Sequence, residues 1–560
     1  MCSELVARVE SLEKAENVPC MDDYGDHHSS MLTSQDLLLI DLLRWFVNST
    51  IGDASRSKVV RVRATGFQEE EKEKKKVVVV GSGWAGLGAA RHLCKQGFDV
   101  KVIEDNEGCG SGDDVCIQGF WHPYQNIFGL VDEIGIKPFK HWMKSAQYSE
   151  EGLEVEFPVY KDLPQLPSPL GPLVYTQFPR LALVDRLTLL PLMAAVIDFD
   201  NTDAAWRKYD AITARELFRM YGCSEKLYRG VLHPLLQVGL FAPPEQCSAA
   251  AALSLLNFLL THQNDFDVVW CRGKVKDQIF QPWMDTMKSE GCEFLEGKGE
   301  INFLLDEEKG CITGVACGEE MYSADAFILA VSISSLQSII RTSAALRTRD
   351  EFLRVLNLAG VDALSVKLAF DRKVALPNAC NACSGFDDSF GWTFFDLNVL
   401  QDEHKAATTQ IIQTDFYNAS QLLLLRDDLL VSKFTTYLSN LVKGFESATV
   451  IEYEIRRYPR ALSHFFPGSY NNMMRGSTSF PNLFMAGDWI INRHGSWSQE
   501  KSYVSGLEAA NRVVDYLEEG SFAKIIPVED AEQHIQALRG LNRSLNELVA
   551  QTPLAGFFLQ

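Results

Sequence analysis

The sequence predicts an α/β protein with a Rossmann-type nucleotide-binding domain and an interleaved α+β substrate domain. Residues 77–80 are four valines that lead directly into a glycine-rich turn and a helical pattern, which is typical of the first strand, turn and helix of that fold. A second strand-to-helix junction lies near the other end of the chain, at residues 483–517. A chain of 560 residues also exceeds what one hydrophobic core usually holds, so two or more domains are expected.

Composition and charge exclude several classes of protein. The 53 Lys and Arg against 74 Asp and Glu leave a net charge of −21, so no nucleic-acid partner is expected, because phosphate contacts need clustered cations. The 13 cysteines are scattered along the chain, which fits a reducing compartment. Cys380 and Cys383 have the spacing of a zinc-binding pair, but no second pair accompanies them, so no metal site is predicted.

The turn after the four valines has the spacing Gly-x-Gly-x-x-Gly, at Gly81, Gly83 and Gly86. The first glycine permits a tight turn, the second lets the backbone approach a pyrophosphate, and the third allows helix and strand to pack closely. Residues 98–103 form the second strand, and Glu104 follows it, 23 residues after Gly81, where a carboxylate can accept from a ribose hydroxyl. No arginine directly follows Glu104, which disfavours a ribose 2′-phosphate. A glycine-rich turn in a buried βαβ unit is the alternative.

The second junction, near the C-terminus, distinguishes FAD from NAD. Residues 483–488 form an apolar strand that ends at Gly487 and Asp488, and a helical pattern covers residues 500–517. This arrangement resembles the C-terminal flavin motif of the FAD-dependent amine oxidase superfamily. The resemblance implies that the Asp488 carboxylate meets the ribitol of FAD, and that the helix start points its N–H groups at the flavin and the pyrophosphate. A turn or N-cap role of Asp488 is the alternative.

The resemblance extends to the middle of the chain. A predicted amphipathic helix at 275–290 is followed by strands at 292–304 and 311–317 and by residues 321–330, which return the chain to the sheet. In the superfamily an apolar residue here contacts the adenine through its backbone; Ile301 is the candidate, and a plain core residue is the alternative. The resemblance implies a Rossmann-type FAD-binding domain. Non-covalent FAD is predicted, because the residues expected to contact it lack a Cys or His placed like a covalent attachment. The implied FAD-binding residues are Gly81, Ser82, Gly83, Ala85, Gly86, Glu104, Gly110, Ser111, Ile301, Gly487, Asp488, Glu500, Lys501 and Ser502.

Within the superfamily, the chain most resembles the plant phytoene and zeta-carotene desaturase branch. Residues 124–136 resemble a stretch of those desaturases that runs from Tyr-Pro-Asn to Glu-Leu-Gly-Ile, and residues 213–252 resemble their substrate-domain helices. Residues 364–371 resemble one of their strands. Amine oxidases place an aromatic residue two positions before the helix-start Glu, as one wall of an amine-holding cage. Carotene desaturases place Ser there, and this chain has Ser498 before Glu500.

Several departures from the family pattern touch the flavin site, and one of them is Cys116-Ile117-Gln118 where the desaturases have Gly-Leu-His. The Gly-Gly-Arg or Gly-Gly-Lys that usually follows the ribose-binding acid is replaced by residues 108–112, Gly-Cys-Gly-Ser-Gly, which carry no base. After Glu500 the usual Gly-Ala is Lys501-Ser502. These departures place the chain outside the best-known desaturases.

The resemblance implies a FAD-dependent oxidoreductase that dehydrogenates or redox-isomerises an apolar, carotenoid-like polyene, with electrons leaving to a quinone or oxygen. The predicted substrate domain is rich in Leu, Phe, Trp and Met, which suits an apolar ligand, although core packing explains the same composition. Lys367 is the candidate catalytic residue, because amine oxidases hold a water near the flavin with a lysine on the matching strand. A lysine that reaches solvent is the alternative. His494 either faces the flavin or lies in a surface loop.

Two other functions stay open at this point. One is a flavin oxidase of amines or porphyrinogens. The other is a non-catalytic relative with a structural role, which the missing base and the altered Lys501-Ser502 motivate.

The predicted domain organisation is discontinuous. Its parts are a leader with a charged linker at residues 1–76, the FAD-binding domain at 77–130, 265–335 and 475–520, the substrate domain at 131–264 and 336–474, and a helical tail at 521–560.

The N-terminal segment and two apolar stretches bear on location. Acids within residues 1–30 argue against a secretory or transit peptide, whereas residues 55–64 lack acids and end in Val-Arg-Ala, which resembles the end of a plastid transit peptide. A chloroplast protein with a mature start near Thr65 is expected, with a disordered cytoplasmic tail as the alternative. Residues 187–197 and 246–262 are predicted to be buried helices rather than spans; peripheral contact of one of them with a membrane is the alternative.

Overall fold

The computed structural model describes residues 74–104, 115–260, 262–296, 299–387 and 389–550, with side chains described to residue 544. The chain divides into residues 1–72 and residues 73–560, and every described residue belongs to the second unit. The predicted transit segment, Gly110 and Ser111 lie outside the described residues.

The strands within the described residues form four sheets. In chain order they are β1 (Lys76–Val80), β2 (Asp99–Ile103), β3 (Gly119–Trp121), β4 (Ser145–Ser149), β5 (Gly152–Phe157), β6 (Val268–Trp270), β7 (Glu293–Leu295), β8 (Ile301–Asp306), β9 (Cys311–Cys317), β10 (Glu320–Ser323), β11 (Ala326–Leu329), β12 (Ala359–Phe370), β13 (Cys380–Cys383), β14 (Gly391–Asp396), β15 (Gln410–Tyr417), β16 (Val450–His464) and β17 (Leu483–Met485).

The helices are distributed along the whole described chain. In chain order they are α1 (Trp84–Lys95), α2 (Gln125–Ile134), α3 (Leu170–Tyr175), α4 (Leu183–Leu187), α5 (Leu190–Asp198), α6 (Asp203–Tyr209), α7 (Ala214–Met220), α8 (Glu225–Leu227), α9 (His233–Gly239), α10 (Ala249–Leu260), α11 (Gln281–Ser289), α12 (Ile333–Thr342), α13 (Asp350–Val355), α14 (Leu397–Leu400), α15 (Ser420–Leu423), α16 (Asp427–Leu441), α17 (Gln499–Leu517) and α18 (Gln533–Ala550).

A five-stranded parallel sheet in the order β17-β11-β1-β2-β7 forms the nucleotide-binding layer. Its central strand β1 is buried on both faces, which explains the uninterrupted valines in the sequence. Val77 and Val79 pack with α1, α11 and α17 on one face. Val78 and Val80 pack with β8, β9 and α12 on the other. The strands come from the beginning, middle and end of the described chain.

Helices α1 and α17 cross at very short range beside this sheet. A Cβ atom built on Gly506 of α17 would lie 2.0 Å from the carbonyl oxygen of Ala85 in α1. Glycine at this position therefore brings the C-terminal helix against the first helix of the Rossmann unit, so that both helices begin at the same edge of the sheet.

A seven-stranded sheet in the order β16-β12-β15-β14-β13-β4-β5 forms the second layer. Its pairs are antiparallel except for β13 with β4. One face packs on α16, where the rings of Phe416 and Phe434 stack with centroids 3.8 Å apart. Thr393 and Phe395 of β14 lie on the other face of this sheet. They line a cavity that residues at the ends of the parallel strands also line.

Two predicted elements differ from the structure. The strand predicted at 292–304 is two strands, because β7 pairs with β2 in the parallel sheet whereas β8 pairs with β9 in the small three-stranded sheet. Residues 187–197 are not one buried helix. Leu187 ends α4 and Leu190 begins α5, and both are more than half exposed, whereas Leu192 and Val196 are buried. The described helices include none with the length and apolar character of a membrane span.

Candidate active site

A cavity of about 660 Å³ lies at the carboxyl ends of the parallel strands. Its wall includes Gly81 and Ser82 after β1, Ala330 after β11, and Gly487 and Asp488 after β17. Parallel α/β sheets bind their ligands outside the carboxyl ends of the strands. The cavity therefore lies where the two sequence motifs, some 400 residues apart, predict a cofactor.

Glycine is required at the three motif positions for different structural reasons. Gly81 adopts a φ of +108°, and a Cβ there would lie 2.2 Å from the carbonyl oxygen of Ala330. A Cβ on Gly86 would lie 1.9 Å from the carbonyl oxygen of Gly81. Gly83 has an ordinary φ of −79°, and a Cβ there would meet nothing within 4 Å. Gly83 therefore leaves open space beside the start of α1, as a bound pyrophosphate requires.

The predicted ribose-binding and adenine-binding residues lie behind this turn. Glu104 follows β2 directly, and its Oε1 accepts a hydrogen bond of 3.0 Å from Ser82 Oγ, which places the carboxylate beside the glycine turn. Ile301 begins β8 and is buried against β1 and β2. The Ile301 carbonyl oxygen accepts from Thr342 Oγ1 at 3.3 Å. Ile301 does not line the cavity.

Asp488 lies on the cavity wall directly after β17. Its Oδ2 accepts from Ser463 Oγ at 2.9 Å, and the backbone N–H of the preceding Gly487 donates to Ser505 Oγ at 2.8 Å. Burial raises the pKa of Asp488, while the charge of Lys501 opposes that rise. A buried carboxylate oxygen at this position suits a ligand that donates hydroxyl groups, as ribitol does.

Helix α17 begins at the cavity. Ser498 is its N-cap, and Ser498 Oγ accepts from the Lys501 backbone N–H at 2.9 Å. Gln499 and Ser502, one helical turn apart, line the cavity. The positive end of the α17 helix dipole therefore lies at the cavity, which suits an anionic or electron-rich ligand.

The side chains of Glu500 and Lys501 point away from the cavity. Both oxygens of Glu500 accept backbone N–H groups at the start of α2, from Asn126 at 2.8 Å and from Ile127 at 3.0 Å. Burial raises the pKa of Glu500 to about 7, although these hydrogen bonds oppose the shift. Lys501 is fully buried, and its Nζ donates to the Gly495 carbonyl oxygen at 2.7 Å. Burial lowers the pKa of Lys501 to about 7.

Lys367, the predicted catalytic residue, does not line the cavity. It lies on β12, and its Nζ is 3.0 Å from Nε2 of His404, in the segment after α14. Burial lowers the pKa of Lys367. Its register partner is Gln413 on β15, which pairs in turn with the cavity-lining Phe395 on β14. Lys367 thus stands on the cavity-facing side of the sheet but outside the cavity, so the geometry does not support a contact with substrate.

Part of the cavity wall is aromatic. Phe266 packs against Phe157 with ring centroids 4.8 Å apart, and against Trp121 at 5.4 Å. Across the wall, Trp497 packs against Phe241 at 4.4 Å. All five residues line the cavity. Such a wall suits an extended apolar ligand and excludes water from it.

Sequence reasoning missed a polar chain on the cavity wall. Tyr124 Oη donates to Gln499 Oε1 at 2.9 Å, and Gln499 Nε2 lies 3.4 Å from Gln118 Oε1. Gln499 lies more than 370 residues from Gln118 and Tyr124, and the three residues share no motif. Gln118 follows Cys116 and Ile117 where the desaturases have Gly-Leu-His, and that departure is the one signal that could have drawn attention to it.

The chain belongs to the flavin-containing amine oxidoreductase family, whose model matches residues 114–514. Residues 79–134 also match the NAD(P)-binding Rossmann-like domain model. These matches confirm the fold class, the superfamily and the flavin cofactor predicted from the sequence. The protein is therefore a flavin-dependent oxidoreductase.

Relatives within this family include carotene desaturases. The 15-cis-phytoene desaturase of Narcissus pseudonarcissus is 22% identical over 473 residues, which cover 78% of this chain and 79% of the relative. The zeta-carotene desaturase of Arabidopsis thaliana is 20% identical over 484 residues, which cover 79% of this chain and 85% of the relative. These matches confirm the resemblance to the desaturase branch.

Solved structures with the same fold include amine oxidases. Cyclohexylamine oxidase from Brevibacterium oxydans superposes with a TM-score of 0.59 at 16% identity, over 80% of this chain and 100% of that chain. Putrescine oxidase bound to putrescine superposes with a TM-score of 0.57 at 14% identity, over 79% of this chain and 99% of that chain. At this identity the likeness concerns the fold.

Proposed function

We propose that this protein is a FAD-dependent oxidoreductase that dehydrogenates or redox-isomerises an apolar, carotenoid-like polyene. The observation that carries the proposal is the single cavity that joins the glycine turn and the start of α17 to a wall of aromatic side chains. The same cavity can therefore hold a hydride acceptor and, next to it, an apolar substrate. The desaturase relatives support the choice of a polyene.

FAD held in this cavity supplies a two-electron hydride acceptor. The space beside Gly83 receives the pyrophosphate, and Glu104, held by Ser82, accepts from the adenosine ribose. Asp488 accepts from the ribitol, and the first turn of α17, with Ser502, faces the flavin. The residues that we assign to FAD include no Cys or His, so we propose non-covalent binding. The electrons leave to a quinone or to oxygen.

A surface beside the cavity supports peripheral contact with a membrane. Six large apolar side chains on α3, α4 and α5 are more than half exposed. They are Leu170, Val174, Leu183, Val184, Leu187 and Leu190. Phe178, between α3 and α4, packs edge-on against the cavity-lining Phe157 with ring centroids 6.4 Å apart. An apolar substrate dissolved in a bilayer would reach the cavity along this side.

We propose a chloroplast location. Residues 55–64 resemble the end of a transit peptide, and the Narcissus and soybean relatives are named chloroplastic or chromoplastic. N-terminal sequencing of the protein from its native tissue should give a start near Thr65. An intact Met1 would support the cytoplasmic alternative.

The purified protein tests the cofactor. It should be yellow, and acid precipitation should release FAD into the supernatant; colour that stays with the pellet would contradict non-covalent binding. A colourless preparation that does not take up FAD would favour the structural role.

Anaerobic mixing tests the reaction. The oxidised protein is mixed with liposomes that carry 15-cis-phytoene or zeta-carotene, and the flavin absorbance should bleach. Liposomes without carotene are the control. Bleaching by an amine or a porphyrinogen, with no response to either carotene, would overturn the polyene proposal.

A further inference from the structure

His494 lines the cavity between Asp488 and the start of α17. Its Nδ1 is buried and has no hydrogen-bond partner among the described residues. Buried polar atoms in native proteins are almost always paired, so the unpaired Nδ1 shows that the described chain leaves the hydrogen bonding of this ring incomplete. The sequence left open whether His494 faces the flavin or lies in a surface loop. In the structure it lies on the wall of the cavity.

The loop that carries His494 is fixed on both sides. The His494 backbone N–H donates to Asn492 Oδ1 at 3.0 Å. After it, Gly495 has a φ of +81° and lies so close to α10 that a Cβ would be 2.1 Å from Ser254 Oγ. The Ser496 N–H donates to the same Ser254 Oγ at 3.0 Å. A side chain on such a pinned loop keeps one orientation, as a catalytic group requires.

Four further ionisable side chains on the described cavity wall, those of Tyr124, Tyr417, Arg457 and Cys380, are engaged or hold their protons. Tyr124 donates to Gln499, and Tyr417 Oη pairs with Thr393 Oγ1 at 3.2 Å. Arg457 is a permanent cation whose guanidinium bonds Asp427 and two backbone carbonyls. Burial raises the pKa of the Cys380 thiol. His494 alone among these side chains offers a neutral, unpaired nitrogen to accept a proton.

The surroundings of His494 keep its ring neutral. Burial lowers the pKa of His494 to about 4, and the charge of Lys501 on α17 adds to the effect. The other charged group facing this part of the cavity is Asp488, while α10 contributes the neutral Ser254. A neutral imidazole keeps one nitrogen without hydrogen, whose lone pair accepts a proton.

We propose that His494 is the proton acceptor of the reaction. This inference rests on the proposed dehydrogenation. Two C–H bonds on neighbouring carbons break: one hydrogen leaves as a hydride, with both bonding electrons, to the bound flavin. The other leaves as a proton to the lone pair of His494, and its bonding electrons form the new C=C bond. A carbon next to one that has lost hydride is strongly acidic, so a weak base is sufficient.

The test compares His494→Gln with wild type and with His141→Gln, which removes an exposed histidine outside the cavity. His494→Gln should lower the rate constant of flavin bleaching about 10²–10⁴-fold, the usual contribution of a general base. FAD affinity and the melting temperature should stay at the wild-type values. An unchanged bleaching rate, or a loss matched by loss of FAD and thermal stability, overturns the proposal.

A second variant separates proton transfer from structure. His494→Ala leaves space at the cavity wall, and added imidazole should restore part of the bleaching rate; no rescue by imidazole or its methylated forms overturns the proposal. In holoenzyme labelled with ¹⁵N-histidine, the signal that His494→Gln removes should be that of a neutral ring at pH 7, and an imidazolium signal would also overturn it.

The same experiment distinguishes this inference from the function it rests on. If wild type is bleached by an amine or porphyrinogen instead of a carotene, the polyene proposal fails. His494 is then judged by the same variants with that substrate. If no substrate reduces the wild-type flavin, both proposals fail.

Discussion

The Nζ atom of Lys501 donates a hydrogen bond of 2.7 Å to the carbonyl oxygen of Gly495, and no part of the Lys501 side chain reaches solvent. This bond ties the loop that carries His494 to the first turn of α17. The superfamily usually has Gly-Ala where this chain has Lys501-Ser502. The structure explains this departure, because the buried Lys501 side chain connects the loop to the helix through its hydrogen bond to Gly495. Its cost is desolvation, which the nearby carboxylates of Asp488 and Glu508 reduce.

Replacing Lys501 by Met should change how stability depends on pH. The folded-state pKa of Lys501 is about 7, below its ordinary value of 10.5, so between these values the unfolded chain holds a proton that the folded chain has released. The free energy of unfolding of wild type should therefore rise with pH from about 7, by at most about 1.4 kcal/mol per pH unit, relative to Lys501→Met. Urea unfolding at pH 6, 7.5 and 9 measures this. The exposed Lys524→Met is the control, and parallel curves for wild type and Lys501→Met would contradict the prediction.

Variants at two positions of the glycine turn should affect cofactor binding and folding separately. Gly83→Asp puts a side chain and a charge into the open space beside α1, where a Cβ meets nothing, so the protein should fold but lose FAD. Gly86→Ala places a Cβ 1.9 Å from the Gly81 carbonyl oxygen and should lower the free energy of unfolding by several kcal/mol. Apo-protein melting curves and FAD titrations distinguish the two variants. Retained FAD in Gly83→Asp would mean that the pyrophosphate lies elsewhere.

The parallel sheet was predictable because its strands are short apolar runs next to a recognisable turn, as in residues 77–80 and 483–488. The seven-stranded sheet was not, because pairing such as β13 with β4 joins residues more than 200 positions apart with no local signal. The FAD-binding residues named from the sequence stay predictions. In the first turn of α17 each residue turns by about 100°, so the predicted Ser502 faces the cavity whereas the predicted Glu500 and Lys501 do not. Gln499, which was not predicted, faces the cavity with Ser502.

Glu500 should be important for docking of α2 rather than for direct contact with FAD. Glu500→Gln offers one acceptor oxygen to the two backbone N–H groups of Asn126 and Ile127, and the unpaired group should cost about 1–3 kcal/mol. The folded-state pKa of Glu500 is about 7, above its ordinary 4.5, so wild-type stability should fall as pH rises between these values. The gap between wild type and Glu500→Gln in urea unfolding should therefore be larger at pH 5 than at pH 8. A gap that does not change with pH would argue against a buried, protonated Glu500.

Lys367→Met tests whether the strand lysine takes part in catalysis. Because its ammonium contacts His404 outside the cavity, the flavin bleaching rate should stay within about threefold of wild type. A lysine acting in proton transfer would instead contribute about 10²–10⁴-fold. Stopped-flow reduction with the carotene that bleaches wild type decides between these outcomes. A loss of 100-fold or more with unchanged FAD content would return Lys367 to the active site.

The exposed apolar side chains of α4 should hold the protein on a bilayer. Leu183 and Val184 are 72% and 68% exposed, and burying each such side chain in lipid is worth about 1.5–3 kcal/mol. The double variant Leu183→Glu, Val184→Glu should therefore reduce co-sedimentation with phosphatidylcholine vesicles by about tenfold or more. Leu424→Glu is the matched control, because Leu424 is 86% exposed and lies between α15 and α16 rather than on α3, α4 or α5. FAD content should be the same in both variants. Equal vesicle binding by the double variant and wild type would show that contact with a membrane, if it occurs, uses another surface.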